Sequence, residues 1–190
     1  MHLVEPRRPL HQSAPRFPIL TSLPRPRLRA STGRLHFSPK THLHQIVYNR
    51  PSDLGYGGVL GHDWFMEEFT EQQRSLTIAW RELYAILIAC TIWGPNFASK
   101  RLTILCDNLA IVYCVNAGSS KCPNIMVLIR ALFLLACKYN FELRLTHVPG
   151  IENIGPDRLS RLDLIAFRRH DPVSNSVGRR VPYIDLRDDF

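Results

Sequence analysis

The chain has 190 residues, 45% of them hydrophobic, with 24 Lys and Arg against 16 Asp and Glu. That length and apolar content suit one domain with a buried core plus tails, and exclude a chain disordered throughout. The formal net charge of +8 favours a polyanionic partner such as nucleic acid, although solubility alone also accounts for it. Five cysteines (Cys90, Cys106, Cys114, Cys122 and Cys137) form no C-x-x-C pair and sit mostly in apolar runs. They read as reduced core residues of an intracellular protein, not as a disulfide frame or a zinc site.

Residues 1–44 hold arginines from Arg7 to Arg34 and Lys40 against one acid, Glu5, with prolines recurring from Pro6 to Pro39. Such a stretch sustains neither a long helix nor a steady alternation, and it reads as a disordered basic Pro/Arg-rich arm. It lacks the apolar run of a signal peptide. His42 and His44 share a strand face without further ligands, so no metal is expected there.

Gln45-Ile46-Val47-Tyr48 is a short strand, and Pro51-Ser52-Asp53 turns the chain. The glycine-rich run Gly55 to Gly61 and then Trp64 to Phe69 continue it as an antiparallel meander. Thr77 to Trp93 is a long helix, apolar on nearly every side, and Glu82 is the acid inside it. A carboxylate there requires a base such as Arg81, a metal, or a water-filled cleft. Gly94-Pro95-Asn96 ends this helix. Leu102 to Cys106 then has a strand's pattern and stops at Asp107, just before a second helical run. Asp107 thus lies at the carboxyl end of a strand, where an acid caps the next helix or holds a metal.

Gly118 stops that helix. Ser119-Ser120-Lys121-Cys122-Pro123 forms a small polar loop suited to a phosphate backbone, and Asn124 to Tyr139 is a further helix. This run is too short for a membrane span and is broken by Arg130. Phe141 to Val148 alternates strictly as a half-exposed strand. Pro156 and Asp157 suit the first turn of a last helix. Residues 163–190 read as a linker or tail.

The order is three strands, helix, strand, two helices, strand, helix. Four stretches carry a specific resemblance: Leu54-Gly55-Tyr56-Gly57-Gly58-Val59-Leu60, Arg81-Glu82-Leu83-Tyr84-Ala85-Ile86, Cys106-Asp107-Asn108, and His147-Val148-Pro149-Gly150-Ile151-Glu152-Asn153 with Asp157-Arg158-Leu159-Ser160-Arg161. Together they resemble the ribonuclease H domain of retrotransposon reverse transcriptases across residues 45–162. Asn116-Ala117-Gly118-Ser119 and Leu128-Ile129-Arg130 are most similar to the tyrosine-recombinase class of those elements.

The resemblance implies an α/β fold, a ribonuclease-H-like mixed five-stranded sheet with helices on both faces. It implies hydrolysis of the RNA strand of an RNA–DNA hybrid by carboxylates that hold two Mg²⁺ or Mn²⁺ ions. By the same resemblance Glu82, Asp107 and Asp157 are catalytic metal ligands. Asn108, Ser119, Ser120, Lys121 and Arg130 belong to the nucleic-acid face, and His147 supports the helix that carries Asp157. A surface histidine on a half-exposed strand is the plainer reading of His147.

One position departs. The family's Thr-Asp-Ala-Ser in the first strand aligns with Asn49-Arg50-Pro51-Ser52, which puts Arg50 where the first catalytic aspartate belongs. An arginine cannot ligate a cation and competes with one for the remaining carboxylates. The resemblance therefore implies a retroelement polyprotein domain impaired as a nuclease, with weakened Mg²⁺ binding. The alternatives are a non-catalytic nucleic-acid-binding module and a structural domain of a reverse transcriptase remnant joined to other domains.

Overall fold

A computed structural model describes residues 44–48, 52–149, 154–184 and 186. The basic arm up to residue 43 lies outside the described residues, as do Asn49, Arg50 and Pro51 and the stretch Gly150 to Asn153.

Five strands hydrogen-bond in the order β3-β2-β1-β4-β5. They are β1 (His44–Tyr48), β2 (Gly55–Leu60), β3 (Asp63–Glu68), β4 (Arg101–Cys106) and β5 (Glu142–His147). The first three form the antiparallel meander, with Gly58 opposite Phe65 and Tyr48 opposite Gly58. Parallel pairing joins β1 to β4 and β4 to β5, the second with Cys106 opposite His147. Parallel neighbours require crossover connections, and helices supply them.

The short helix α1 (Glu71–Arg74) opens on a reciprocal capping box between Thr70 and Gln73. α2 (Ile78–Trp93) begins where the Thr77 hydroxyl accepts the Trp80 N–H at 3.2 Å, and every residue from Trp80 to Cys90 is buried. It ends in the short 3-10 turn Gly94–Phe97, where the Tyr139 ring lies so close to Gly94 that a Cβ there would stand 2.4 Å from it. α3 (Leu109–Ala117) stops at Gly118, whose φ of 65° is left-handed. α4 (Pro123–Tyr139) follows with Pro123 in its first turn. The remaining helices are α5 (Ile154–Ser160) and α6 (Leu164–His170).

Side-chain alternation along the meander separates two cores. Tyr56 and Phe65 join α2, α3 and α4 in the main core, which includes Leu83, Ile86, Leu102, Ile104, Leu128 and Leu132. On the other face Trp64, Leu159 and Phe167 form a second cluster beneath α5 and α6. Gly57 is what lets α5 approach so closely, since a Cβ there would lie 2.5 Å from that of Leu159.

The segment expected as a linker from residue 163 contains α6, whose Phe167 is fully buried against Trp64 with ring centroids 5.5 Å apart. The sequence concealed it because its seven residues carry one inward aromatic among charges, too few for visible periodicity. No described helix is long and apolar enough to cross a membrane. The described cysteines are free, with Cys90 and Cys106 buried.

Candidate functional site

β4 delivers Asp107 to the carboxyl edge of the sheet. The alternative that Asp107 caps the following helix is settled by its neighbour. The N-cap of α3 is Asn108, whose Oδ1 accepts the N–H groups of Ala110 at 3.0 Å and Ile111 at 3.3 Å. That carboxylate is half-buried, with its Oδ1 sealed from solvent. Asn108, expected on a nucleic-acid face, commits its side-chain oxygen to the helix instead and retains only its amide N–H groups for a ligand.

Glu82 sits in the amino-terminal half of α2 and is 2% exposed. Arg81, one candidate partner for it, turns elsewhere. Its guanidinium reaches the Ser52 carbonyl at 3.3 Å and Asp53 Oδ1 at 3.2 Å, and lies over the Phe69 ring at 5.8 Å. The Arg81 side chain is 7% exposed and that of Asp53 96%, so the ion pair has one end in the protein and one in water. Its pairing value is accordingly small, and the positioning of the turn matters more.

Ser52 completes this brace. Its hydroxyl donates to the Ser160 carbonyl at the end of α5 and accepts the N–H groups of Leu54 and Gly55. The turn before β2 is thereby fastened to α2 through Arg81 and to α5 through Ser52. Neither role was evident in the sequence, where Ser52 served only as an alignment point and Arg81 as a partner for Glu82. An arginine beside a glutamate in an apolar helix was the available signal.

Asp157 lies in the first turn of α5 with its side chain 30% exposed, and Arg161 one turn on holds both carboxylate oxygens at 3.1–3.2 Å. His147 is exposed and ends β5 opposite Cys106, so it stands beside the strand end that carries Asp107. Ser119, Ser120 and Lys121 occupy the opposite end of α3, roughly 13 Å away along a helix of that length. There the Ser120 hydroxyl accepts the Cys122 N–H at 3.2 Å. Arg130 is exposed on α4. Asp107 and His147 thus stand together at the sheet edge and the 119–121 loop lies at the far end of α3, while Glu82, Asp157 and Arg130 come from α2, α5 and α4.

Carboxylates are hard oxygen donors and suit Mg²⁺ or Mn²⁺ in kind. Among the described residues, however, no group of three or more His, Cys, Asp or Glu side chains is placed to hold a metal ion. Asp157 is engaged by Arg161. The described residues on their own therefore assemble no three-ligand metal centre.

The sequence matches no known protein family and no curated protein. Solved structures do match the fold. Ribonuclease H1 of the halophilic archaeon Halobacterium salinarum NRC-1 superposes with a TM-score of 0.53 at 14% identity, over 66% of this chain and 99% of that one. The N-terminal ribonuclease H domain of a Mycobacterium tuberculosis protein, solved fused to maltose-binding protein, gives 0.50 at 16% identity, over 67% and 98%. The fold is that of ribonuclease H. At these identities the likeness concerns architecture alone. Within the ribonuclease H fold of this chain, Glu82 comes from the first long helix, Asp107 from the end of β4 and Asp157 from the helix on the other face of the meander.

Proposed function

We propose that this chain is a ribonuclease-H-like domain of a retroelement polyprotein, of the tyrosine-recombinase class, that binds RNA–DNA hybrids and is impaired as a nuclease. What carries the reading is Asp107. It is a half-buried acid at the carboxyl end of a central strand, and the helix it precedes is already capped by Asn108.

The sequence alignment supports the impairment by placing Arg50 at the position of a metal-ligating aspartate. The engagement of Asp157 by Arg161 points the same way. In this reading Glu82, Asp107 and Asp157 are remnants of a metal-binding set whose affinity for Mg²⁺ or Mn²⁺ is weak. Lys121 and Arg130, with Ser119 and Ser120, face the nucleic-acid backbone, and His147 borders the site. Their contribution is electrostatic and depends on salt.

The test is titration of a fluorescently labelled RNA–DNA hybrid into the full chain at several salt concentrations, with Mg²⁺ present and the RNA strand then sized on a gel. The reading predicts binding that weakens with salt, and RNA left intact. A nuclease in full working order would shorten the RNA. A purely structural domain, the second reading, would show no affinity at any salt.

A further inference from the structure

We propose that residues 171–184 are a strap that docks on the outer edge of β3 and prevents that edge from pairing with a second copy of the chain. Among the described strands β3 is the last of the sheet, so its outward backbone groups form a template for another strand. The strap takes one of them, at Trp64, and the carbonyl of His62 just before the strand. The Asn175 N–H donates to the His62 carbonyl at 2.8 Å and the Arg179 N–H to the Trp64 carbonyl at 2.7 Å.

Side chains lock the same contact. The Trp64 indole N–H donates to the Asn175 carbonyl at 2.8 Å. Asp63 accepts from the Asn175 amide and from the Arg179 guanidinium, the latter at 2.6 Å and 3.0 Å. Gly178 lies flat on the Trp64 ring, where a Cβ would come within 2.7 Å. From α6, Arg168 lies 5.1 Å from that ring and donates to the carbonyls of Ser174 at 3.0 Å and Ser176 at 2.7 Å.

The strap then leaves the Trp64 face. Val181 and Ile184, and Leu186 beyond them, pack against the main core on the opposite side of the sheet. One segment therefore passes around the edge strand and joins both cores. This arrangement is independent of any chemistry at Asp107.

Hydrogen exchange on the full chain, with sedimentation at rising concentration, tests the proposal. The native chain is expected to be monomeric, with the Asn175 and Arg179 amides exchanging at least tenfold more slowly than in an unstructured peptide. Gly178→Leu drives a side chain into Trp64 and is expected to abolish that protection while the α2 amides stay protected. The released variant is then expected to dimerise as concentration rises. Should Gly178→Leu fail to fold, Asn175→Ala combined with Arg179→Ala removes the polar clasp without adding bulk and is read in the same way. Unprotected strap amides in the native chain would overturn the docking, as would unchanged protection in both variants. A released variant that stays monomeric would overturn the guarding role.

Discussion

Single residues decide the quality of this site. Asn108, not Asp107, caps α3 through two accepted hydrogen bonds. Asn108→Ala is expected to cost about 1 kcal/mol in urea unfolding, whereas Asn108→Asp, which keeps an acceptor, is expected to cost much less. Gly57 is constrained by packing, since a Cβ would meet Leu159 at 2.5 Å and the Phe65 carbonyl at 2.9 Å. Gly57→Ala is expected to destabilise the domain by roughly 1–3 kcal/mol through overpacking, seen as a lowered Tm. The acids themselves were legible in the sequence because a carboxylate in an apolar setting violates its surroundings. The braces of Ser52 and Arg81 were not, because their partners lie 108 and 28–29 positions away. No local pattern encodes such a pair.

At the scale of elements, α2 was visible because Thr77 caps it, Gly94-Pro95 ends it, and almost nothing inside it is polar. Burial on all sides makes its residues costly to shorten. Leu83→Ala is expected to lose about 2–5 kcal/mol, while Ile165→Ala on the exposed side of α6 is expected to stay within about 0.5 kcal/mol. Equal effects in a denaturant series would contradict the placement of the two helices. Element ends moved by a residue where hydrogen bonding, rather than hydrophobicity, sets them. β1 begins at His44 and β3 at Asp63, each one residue before the start expected from the sequence. Asn116 shows how a motif residue serves the fold. Its amide donates to the Leu145 carbonyl at 2.8 Å and accepts the Leu145 N–H at 2.9 Å, which binds α3 to the outer edge of β5.

Among the described residues, both outer strands are bonded on their free edges, β5 at Leu145 by Asn116 and β3 at Trp64 by the strap. The sheet is also wedged by an aromatic group in which Tyr56 meets Tyr84 with centroids 5.6 Å apart, and Trp80 stacks on Tyr84 at 4.9 Å. Burial pushes the Tyr56 hydroxyl well above the ordinary tyrosine range, and nearby Tyr84 and Glu67 add to the shift. Burial raises Tyr84 as well. The unfolded chain ionises its tyrosines near pH 10 while the folded chain keeps these two protonated. Above that pH the unfolded state binds fewer protons, so stability is complete below about pH 10 and falls as pH rises past it. The urea midpoint followed from pH 8 to 11 is expected to show this fall, and Tyr84→Phe is expected to make it smaller while Tyr56 keeps its share. A fall of the same size in Tyr84→Phe would place its origin elsewhere.

In the function proposed above, a ribonuclease H fold binds hybrid without cutting it because Arg50 stands where the resembled family has an acid. The most direct measurement compares cleavage of a labelled RNA–DNA hybrid by the native chain and by Arg50→Asp, in Mg²⁺ and in Mn²⁺. The account predicts intact RNA with the native chain and shortened RNA with Arg50→Asp. Equal cleavage by both would contradict it.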